Sequence, residues 1–166
     1  MVTQTFLPYT EFRLSKPLND TQFDVLKKAT TVLTGLALAG NDLTIGGQTV
    51  VTEDLGEDVQ NFVPNITYGQ LNRSNLKSKT RRSAQGRSTW EATATFYYNE
   101  DLNRSYDVIV KDSSGPRVLY VERNTGRKLV AVVTMGNVTD SGVDDDGNTT
   151  FDVTFWNASD VEPQWE

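Results

Sequence analysis

Apolar and polar residues alternate strictly along the middle of the chain, from position 89 to position 99. A period of two places successive side chains on opposite faces of a strand, so one face can be buried while the other stays in water. Shorter runs of this kind follow, with turn-forming residues about every ten positions, which is typical of a sandwich or barrel. The strands expected in this half are Thr89–Asn99, Tyr106–Lys111, Arg117–Arg123, Lys128–Val138 and Thr149–Trp156.

The aromatic residues in these runs fall mainly on the face that would be dry, and this predicts the core. Two tryptophans, Trp156 and Trp165, fall off that face, and an exposed tryptophan is a candidate interface anchor. The aromatic residues expected in the core are Trp90, Phe96, Tyr98, Phe151 and Phe155.

The first half of the chain predicts one helix. Asn19 or Asp20 can cap it, and apolar residues follow at helical spacing over positions 23 to 37. A β-branched run near position 30 opposes a helix there. We therefore expect a short helix to about Ala29 and a strand over residues 31–38, the alternative being one longer helix.

A Gly-Gly pair at positions 46 and 47 separates two short apolar runs and predicts a hairpin of Leu43–Ile45 with Gln48–Val51. A further strand is expected over Ile66–Leu71. Residues 1–18 carry apolar positions without a clear period, and we interpret them as an extended arm with at most one short strand. Such an arm packs either on its own domain or on a neighbour.

The chain has 166 residues, which fits one domain over residues 1–166, and it contains neither histidine nor cysteine. Thiol nucleophiles, Ser-His-Asp chemistry and the usual zinc sites are thereby excluded. Carboxylates remain, with Glu91 beside Asp107 or Asp152 as a possible pair and Asp144–Asp146 as a possible calcium loop. On a strand face and in a turn, such residues are usually there for solubility, so we expect no enzyme, cofactor or metal.

No apolar run approaches the ~20 residues of a membrane span, and no membrane partner is expected. A carbohydrate- or metal-binding β-sandwich is a further possibility, and calcium dependence would distinguish it.

The net charge of −6 hides a marked asymmetry. A stretch over residues 71–88 holds six basic residues and no acid, which leaves ten basic against twenty-two acidic residues elsewhere. This basic loop can bind nucleic acid, stay solvated, or dock on an acidic surface of another copy. It lacks aromatic residues for base stacking, so docking is favoured. The interface candidates are Arg73, Lys77, Lys79, Arg81, Arg82 and Arg87 with Glu53, Asp54, Glu57 and Asp58.

The order of these runs resembles the major tail (tail tube) proteins of long-tailed bacteriophages. The resemblance spans roughly residues 62–160 and is one of pattern and composition. The segments that carry it are Ser88–Tyr98, Val118–Val121, Val130–Val138 and Thr150–Phe155.

This resemblance implies a mainly β fold: an antiparallel β-sandwich or barrel with one flanking helix and long inter-subunit loops. It implies a structural virion protein that assembles in the host cytoplasm into stacked six-membered rings, the tube through which DNA is ejected. DNA would pass the lumen without specific binding. Tape-measure, tail-terminator and baseplate proteins are the further partners it implies. The alternative is another virion β-protein, such as a capsid decoration or head–tail joining protein.

Overall fold

A nine-stranded antiparallel sheet with one short helix makes up the described part of the chain. The computed structural model describes residues 9–28, 36–72, 83–98, 108–109, 115–143, 147, 149–160 and 162–166. The elements are β1 (Tyr9–Ser15), α1 (Asp20–Leu26), β2 (Ala37–Ala39), β3 (Asp42–Ile45), β4 (Gln48–Asp54), β5 (Val59–Asn72), β6 (Ser83–Tyr97), β7 (Arg117–Arg123), β8 (Lys128–Val143) and β9 (Thr149–Asn157).

The strands lie in the order β2-β3-β4-β1-β7-β8-β9-β6-β5, and each neighbouring pair is antiparallel. The expected mainly β, antiparallel fold with one flanking helix is therefore confirmed. The described part of the predicted arm, residues 9–18, contains strand β1, which lies inside the sheet between β4 and β7. The order begins with β2 and ends with β5, so the sheet is not closed.

The sheet rolls so that β1 and β5, which are not neighbours in it, face one another across the main core. Phe12 on β1 meets the rings of Phe62 and Phe96 edge-on, with centroids 5.4 and 5.6 Å apart. The hydroxyl of Tyr9 donates a hydrogen bond to the carbonyl oxygen of Phe62 at 2.9 Å. One rolled, open sheet therefore encloses the core that the alternating pattern predicts.

A second core lies on the opposite face of β7 and β8. Helix α1 and the β3–β4 hairpin cover it, and Leu26 of the helix is fully buried there. On β7, Leu119 and Val121 enter the main core, whereas Val118 and Tyr120 enter the second one. Strand β7 is therefore buried on both faces, which is why it reads as a continuous apolar run.

Helix α1 begins at the capping residue that the sequence indicates. The Asn19 side chain accepts from the backbone N–H of Gln22 at 2.8 Å, and the Gln22 side chain accepts from the backbone N–H of Asn19. This capping box satisfies two donors that a helix start leaves open. The helix ends at Leu26, and residues 29–35, which hold most of the strand expected next, lie outside the described part.

The Gly-Gly hairpin is confirmed, with Gly46 and Gly47 at φ of 52° and 78° between β3 and β4. Strand β7 has the predicted bounds, and β8 extends beyond Val138 to Val143, whereas β6 begins earlier than expected, at Ser83, and ends at Tyr97. The strand expected over Tyr106–Lys111 is wrong at its two described residues, Val108 and Ile109, which lie in a helical turn. The buried Arg117 guanidinium holds this turn by donating from Nη1 to the carbonyl oxygen of Val108 at 2.5 Å.

Candidate assembly surfaces

The four longest strands, β8, β9, β6 and β5, are consecutive in the sheet, and we call them the long-strand sheet. Its two outer edges are open. Strand β5 ends the sheet and, among the residues that the structure describes, pairs with β6 alone. Strand β8 pairs with β7 as far as Val133, and beyond it, from Thr134 to Val143, that side of β8 has no ladder partner among the described residues. Open edges present N–H and C=O groups on which another chain can form a strand pair.

A proline marks the open edge of β5. Pro64 lies in the middle of this strand, opposite Ala92 of β6. Proline has no N–H to donate, so it is tolerated in a sheet almost only on an edge strand, with its nitrogen directed away from the ladder. The proline is visible in the sequence and identifies β5 as an edge strand. The length of the strand alone does not identify it as one.

Strands β5 and β6 continue as a two-stranded ribbon beyond the point where β9 stops. Strand β9 pairs with β6 only from Glu91 onwards, whereas the β5–β6 ladder continues to the pair Asn72 and Ser83. We call residues 66–72 and 83–89 the ribbon. In the described part of the chain, no third strand lies beside these residues. The ribbon therefore projects from the sheet.

The ribbon exposes large apolar side chains. Ile66 and Tyr68 lie on the face that continues the main core, with exposures of 41% and 52%. Ile66 is directly opposite Trp90, the last buried residue of β6 on this face. Leu71, at 48% exposure, lies on the opposite face because it is an odd number of residues from both. The sequence pattern predicts a strand here but not the exposure of these side chains.

The predicted basic loop over residues 71–88 is in part strand, since the ladder reaches Asn72 and resumes at Ser83. Arg87 is exposed on β6 within the ribbon. The other five basic candidates lie outside the described residues, and their interface role stays a prediction. They are Arg73, Lys77, Lys79, Arg81 and Arg82.

The acidic candidates lie around the connection that leads into β5, at the end of this strand far from the ribbon. Glu57 is exposed there. Asp54 accepts from the backbone N–H of Gly56 at 2.9 Å, and its carboxylate is 3.9 Å from the Arg13 guanidinium. Glu53 is half-buried on β4, and Asp58, at 4% exposure, is buried within its own subunit. Glu57 is thus the most accessible of the four.

A single subunit does not bring Arg87 and the acidic connection together. The acidic connection precedes Val59 at the start of β5, whereas Arg87 lies level with the stretch between Tyr68 and Gln70, which at ~3.3 Å per residue places them about 35 Å apart along the strand. Opposite charges at opposite ends cannot pair within one copy. They are arranged so that the end of one copy can attract the other end of the next.

The face of the long-strand sheet that points away from the main core carries hydroxyl and carboxylate groups. Thr95 donates to the carboxylate of Asp152 across the β6–β9 pair at 2.6 Å. The four strands contain only two cationic residues, Arg87 and Lys128. The outward residues of β6 and β9 in the shared ladder are Glu91, Thr93, Thr95, Tyr97, Thr150, Asp152, Thr154 and Trp156.

Trp156 is half-exposed on this polar face and lies over a glycine. A Cβ atom at Gly136 would come within 2.5 Å of Cε2 of Trp156, so only glycine admits the ring here. The indole borders an open groove of about 330 Å³. The other residues that line the groove are Ser88, Thr89, Trp90, Glu91 and Asn157.

Trp165, the other candidate anchor, is engaged within its own chain. Its ring packs against the main core, and the Arg123 guanidinium lies 4.0 Å from the ring centroid. The C-terminal segment around it also pairs with the start of β8, where Glu166 and Lys128 exchange two backbone hydrogen bonds. Glu162 accepts a hydrogen bond from Ser88, which ties this segment to the base of the ribbon.

Two tyrosines have perturbed acidities. Burial raises the pKa of Tyr9, against a smaller opposing effect of Arg123. Burial also raises the pKa of Tyr120 well above its usual value, and the Glu122 carboxylate, which accepts from its hydroxyl at 2.9 Å, adds to this. Both hydroxyls therefore stay protonated at neutral pH and act as hydrogen-bond donors.

Within the described ranges, no three acidic side chains lie close enough to hold a metal ion. The possible calcium loop, Asp144–Asp146, lies outside those ranges. None of the described helices is long and apolar enough to cross a membrane.

No protein-family model matches this sequence, and no curated protein matches it significantly. Solved structures do share its fold. A chain in a structure described as the tail of an empty gene transfer agent particle, with C6 symmetry, has a TM-score of 0.52 and 10% identity. The similarity covers 78% of this chain and 99% of that one. A chain in a virion of a native gene transfer agent particle has a TM-score of 0.50 and 9% identity, over 69% and 88%. At these identities the likeness establishes the fold alone.

Proposed function

We propose that this chain is a structural subunit of a phage-like tail tube and that six copies form a ring. The observation that carries the proposal is the open long-strand sheet, in a chain that shares its fold with one from a six-fold symmetric tail. Open edges on both sides of one sheet are a liability for a monomer, and a closed ring removes them.

The ring contact joins the β5 edge of one copy to the open part of β8 in the next. Six copies of four strands, spaced at ~4.8 Å, give a circumference of about 115 Å and a backbone diameter of about 37 Å before strand tilt widens it. Side chains reduce this bore, which still admits a DNA duplex. The long strands are thus consistent with the wall of a conduit.

The polar face of the long-strand sheet would line that conduit. It carries threonine hydroxyls with Glu91 and Asp152, and the four strands hold only two cationic residues. DNA-binding proteins gain affinity by neutralising phosphates with lysine and arginine. A wall that lacks these residues repels phosphate, so DNA passes without binding.

Rings stack because the two ends of a subunit differ. The ribbon end is basic, whereas the connection into β5 is acidic, and they are about 35 Å apart along β5. A contact between different surfaces on opposite ends does not close on itself and generates a filament. Stacked rings therefore follow from the same asymmetry that the sequence shows in its charges.

We propose a purely structural role, without catalysis or cofactor, in the virion tail. The absence of histidine and cysteine from the sequence supports this part of the proposal. Assembly in the host cytoplasm and contacts with tape-measure, tail-terminator and baseplate proteins belong to the same proposal.

Electron microscopy of the purified protein, concentrated without partners, tests the proposal. We expect tubes of uniform diameter, with six-fold symmetry in end views and an axial repeat near the length of β5. Single rings or closed trimers at all concentrations would instead favour a capsid decoration or head–tail joining protein. That alternative has support because one chain with this fold belongs to a virion particle. Monomers alone would refute both.

A further inference from the structure

The apolar side chains on the core-facing side of the long-strand sheet continue beyond the main core at both ends of the sheet. At one end, these side chains are Ile66 and Tyr68 of the ribbon. At the other end, Val143 of β8 is exposed to 68%. Most exposed positions on a soluble protein are polar, so two apolar overhangs on one face require an explanation.

The ladder places both overhangs on the same face. Val143 pairs with Thr149 at the start of β9, and Val153 of the same strand is fully buried in the main core. Cross-strand partners point to the same face, and Thr149 lies four residues from Val153, an even spacing. At the ribbon end, Ile66 pairs with the buried Trp90.

The charges beside the two overhangs are opposite. Arg87 is exposed within the ribbon, while Glu57 and Asp140 are exposed at the far end. In a neighbouring copy translated along the strands, the far end with its carboxylates faces the ribbon with its cation. An apolar overhang lies beside the charge on each side of this contact. This complementarity identifies a second copy of the chain as the partner.

We propose that the overhang of Ile66 and Tyr68 in one copy packs on Val143 of β8 in a copy of the next ring. This contact rests on the proposed stacking of rings and specifies how they join. The apolar contact holds the stack, whereas the flanking charges speed and orient the encounter.

Disulfide trapping tests this contact directly, because the natural chain contains no cysteine. The variant with Tyr68→Cys and Val143→Cys should, under oxidising conditions in assembled tubes, give a ladder of covalent multimers on a non-reducing gel. The two positions lie at opposite ends of one subunit, so an intramolecular bond cannot form. The matched control has Leu71→Cys with Val143→Cys, since Leu71 is similarly exposed on the other face of the ribbon, and it should stay monomeric on the gel.

A second measurement uses threonine, which keeps the strand propensity but removes apolar area. Tyr68→Thr and Val143→Thr should each raise the protein concentration needed for tubes by about tenfold. Leu71→Thr should change it by less than about twofold. The double variant should raise this concentration by less than the two single effects combined, since both substitutions remove the same contact.

The outcomes separate the two proposals. If the unmodified chain never forms tubes, the proposed function fails. If it forms tubes but the Tyr68 and Val143 pair gives no ladder, or Leu71→Thr acts like Tyr68→Thr, this inference is overturned while the proposed function stands. Circular dichroism of each unassembled variant establishes that its fold is retained.

Discussion

Strands β7 and β5 face opposite situations in the same sheet. Strand β7 has a neighbour on each side, β1 and β8, and side chains on both of its faces are buried in one of the two cores. Strand β5 has one neighbour, and it is exposed along the ribbon on both faces. Strand β7 has ladder partners along both edges within one subunit, whereas one edge of β5 has no ladder partner in the described part of the chain. We therefore expect the folding of the monomer to depend on β7 and the proposed assembly to depend on β5.

The strongest test of this comparison truncates one side chain in each strand. Leu119→Ala removes a fully buried side chain of β7 and should lower the free energy of unfolding by about 2–5 kcal/mol, because it leaves a cavity in the main core. Val63→Ala, at a half-exposed position of β5, should change it by less than about 0.5 kcal/mol. Urea unfolding of the unassembled protein measures both. Equal effects would contradict the division of roles.

The same contrast explains what the sequence could predict. Period-two alternation located β6 and β9 because each has one dry and one wet face. Strand β1 has no such period, since four consecutive residues from Phe12 to Ser15 are buried, polar ones included. They lie inside the sheet with Arg13 bonded to Glu11, and only the tertiary fold provides those neighbours.

The assembly surfaces were predicted less completely than the core. The charge asymmetry identified the basic and acidic regions, but it could not reveal that Asp58 is buried or that Ile66 and Tyr68 are exposed. Exposure at these positions depends on where β9 ends beside β6, and that pairing joins residues about 65 positions apart. A local sequence pattern carries no information on the register in which such distant strands pair.

The next prediction concerns Arg117, which begins β7 and has only 2% exposure. Its guanidinium donates to the carbonyl oxygen of Val108. Arg117→Met keeps much of the volume but leaves that acceptor without this donor, which should cost about 1–3 kcal/mol of unfolding free energy. Thermal unfolding measures the loss. A variant as stable as the parent would show that the helical turn at Val108 and Ile109 contributes little.

Charge reversal in the basic loop should act on assembly alone. Arg81→Glu with Arg82→Glu places like charges against the acidic end of the next copy, and tube yield should fall by more than about tenfold. The matched control, Lys16→Glu with Lys28→Glu, makes the same change of net charge at exposed positions away from the ribbon. It should assemble normally.

Salt distinguishes repulsion from a lost contact in that variant. At 1 M salt the screening length falls to about 3 Å, so tubes of the Arg81 and Arg82 variant should partly return. Tubes of the unmodified chain should survive the same salt, because an apolar contact holds them. Normal tubes from the reversed variant at low salt would refute the role of these charges, and circular dichroism checks that its monomer is folded.

The smallest effect is expected on the polar face of the long-strand sheet. Gly136→Ala introduces a Cβ atom within 2.5 Å of the Trp156 ring, so the indole must move. Because this ring is half-exposed and can rotate towards solvent, the free energy of unfolding should fall by less than about 1 kcal/mol. The emission of Trp156 should shift to longer wavelength, and Trp156→Phe with and without Gly136→Ala assigns that shift to this residue. If the polar face lines a conduit without packing on other copies, tube yield stays unchanged; a marked loss would instead assign Trp156 to a subunit contact.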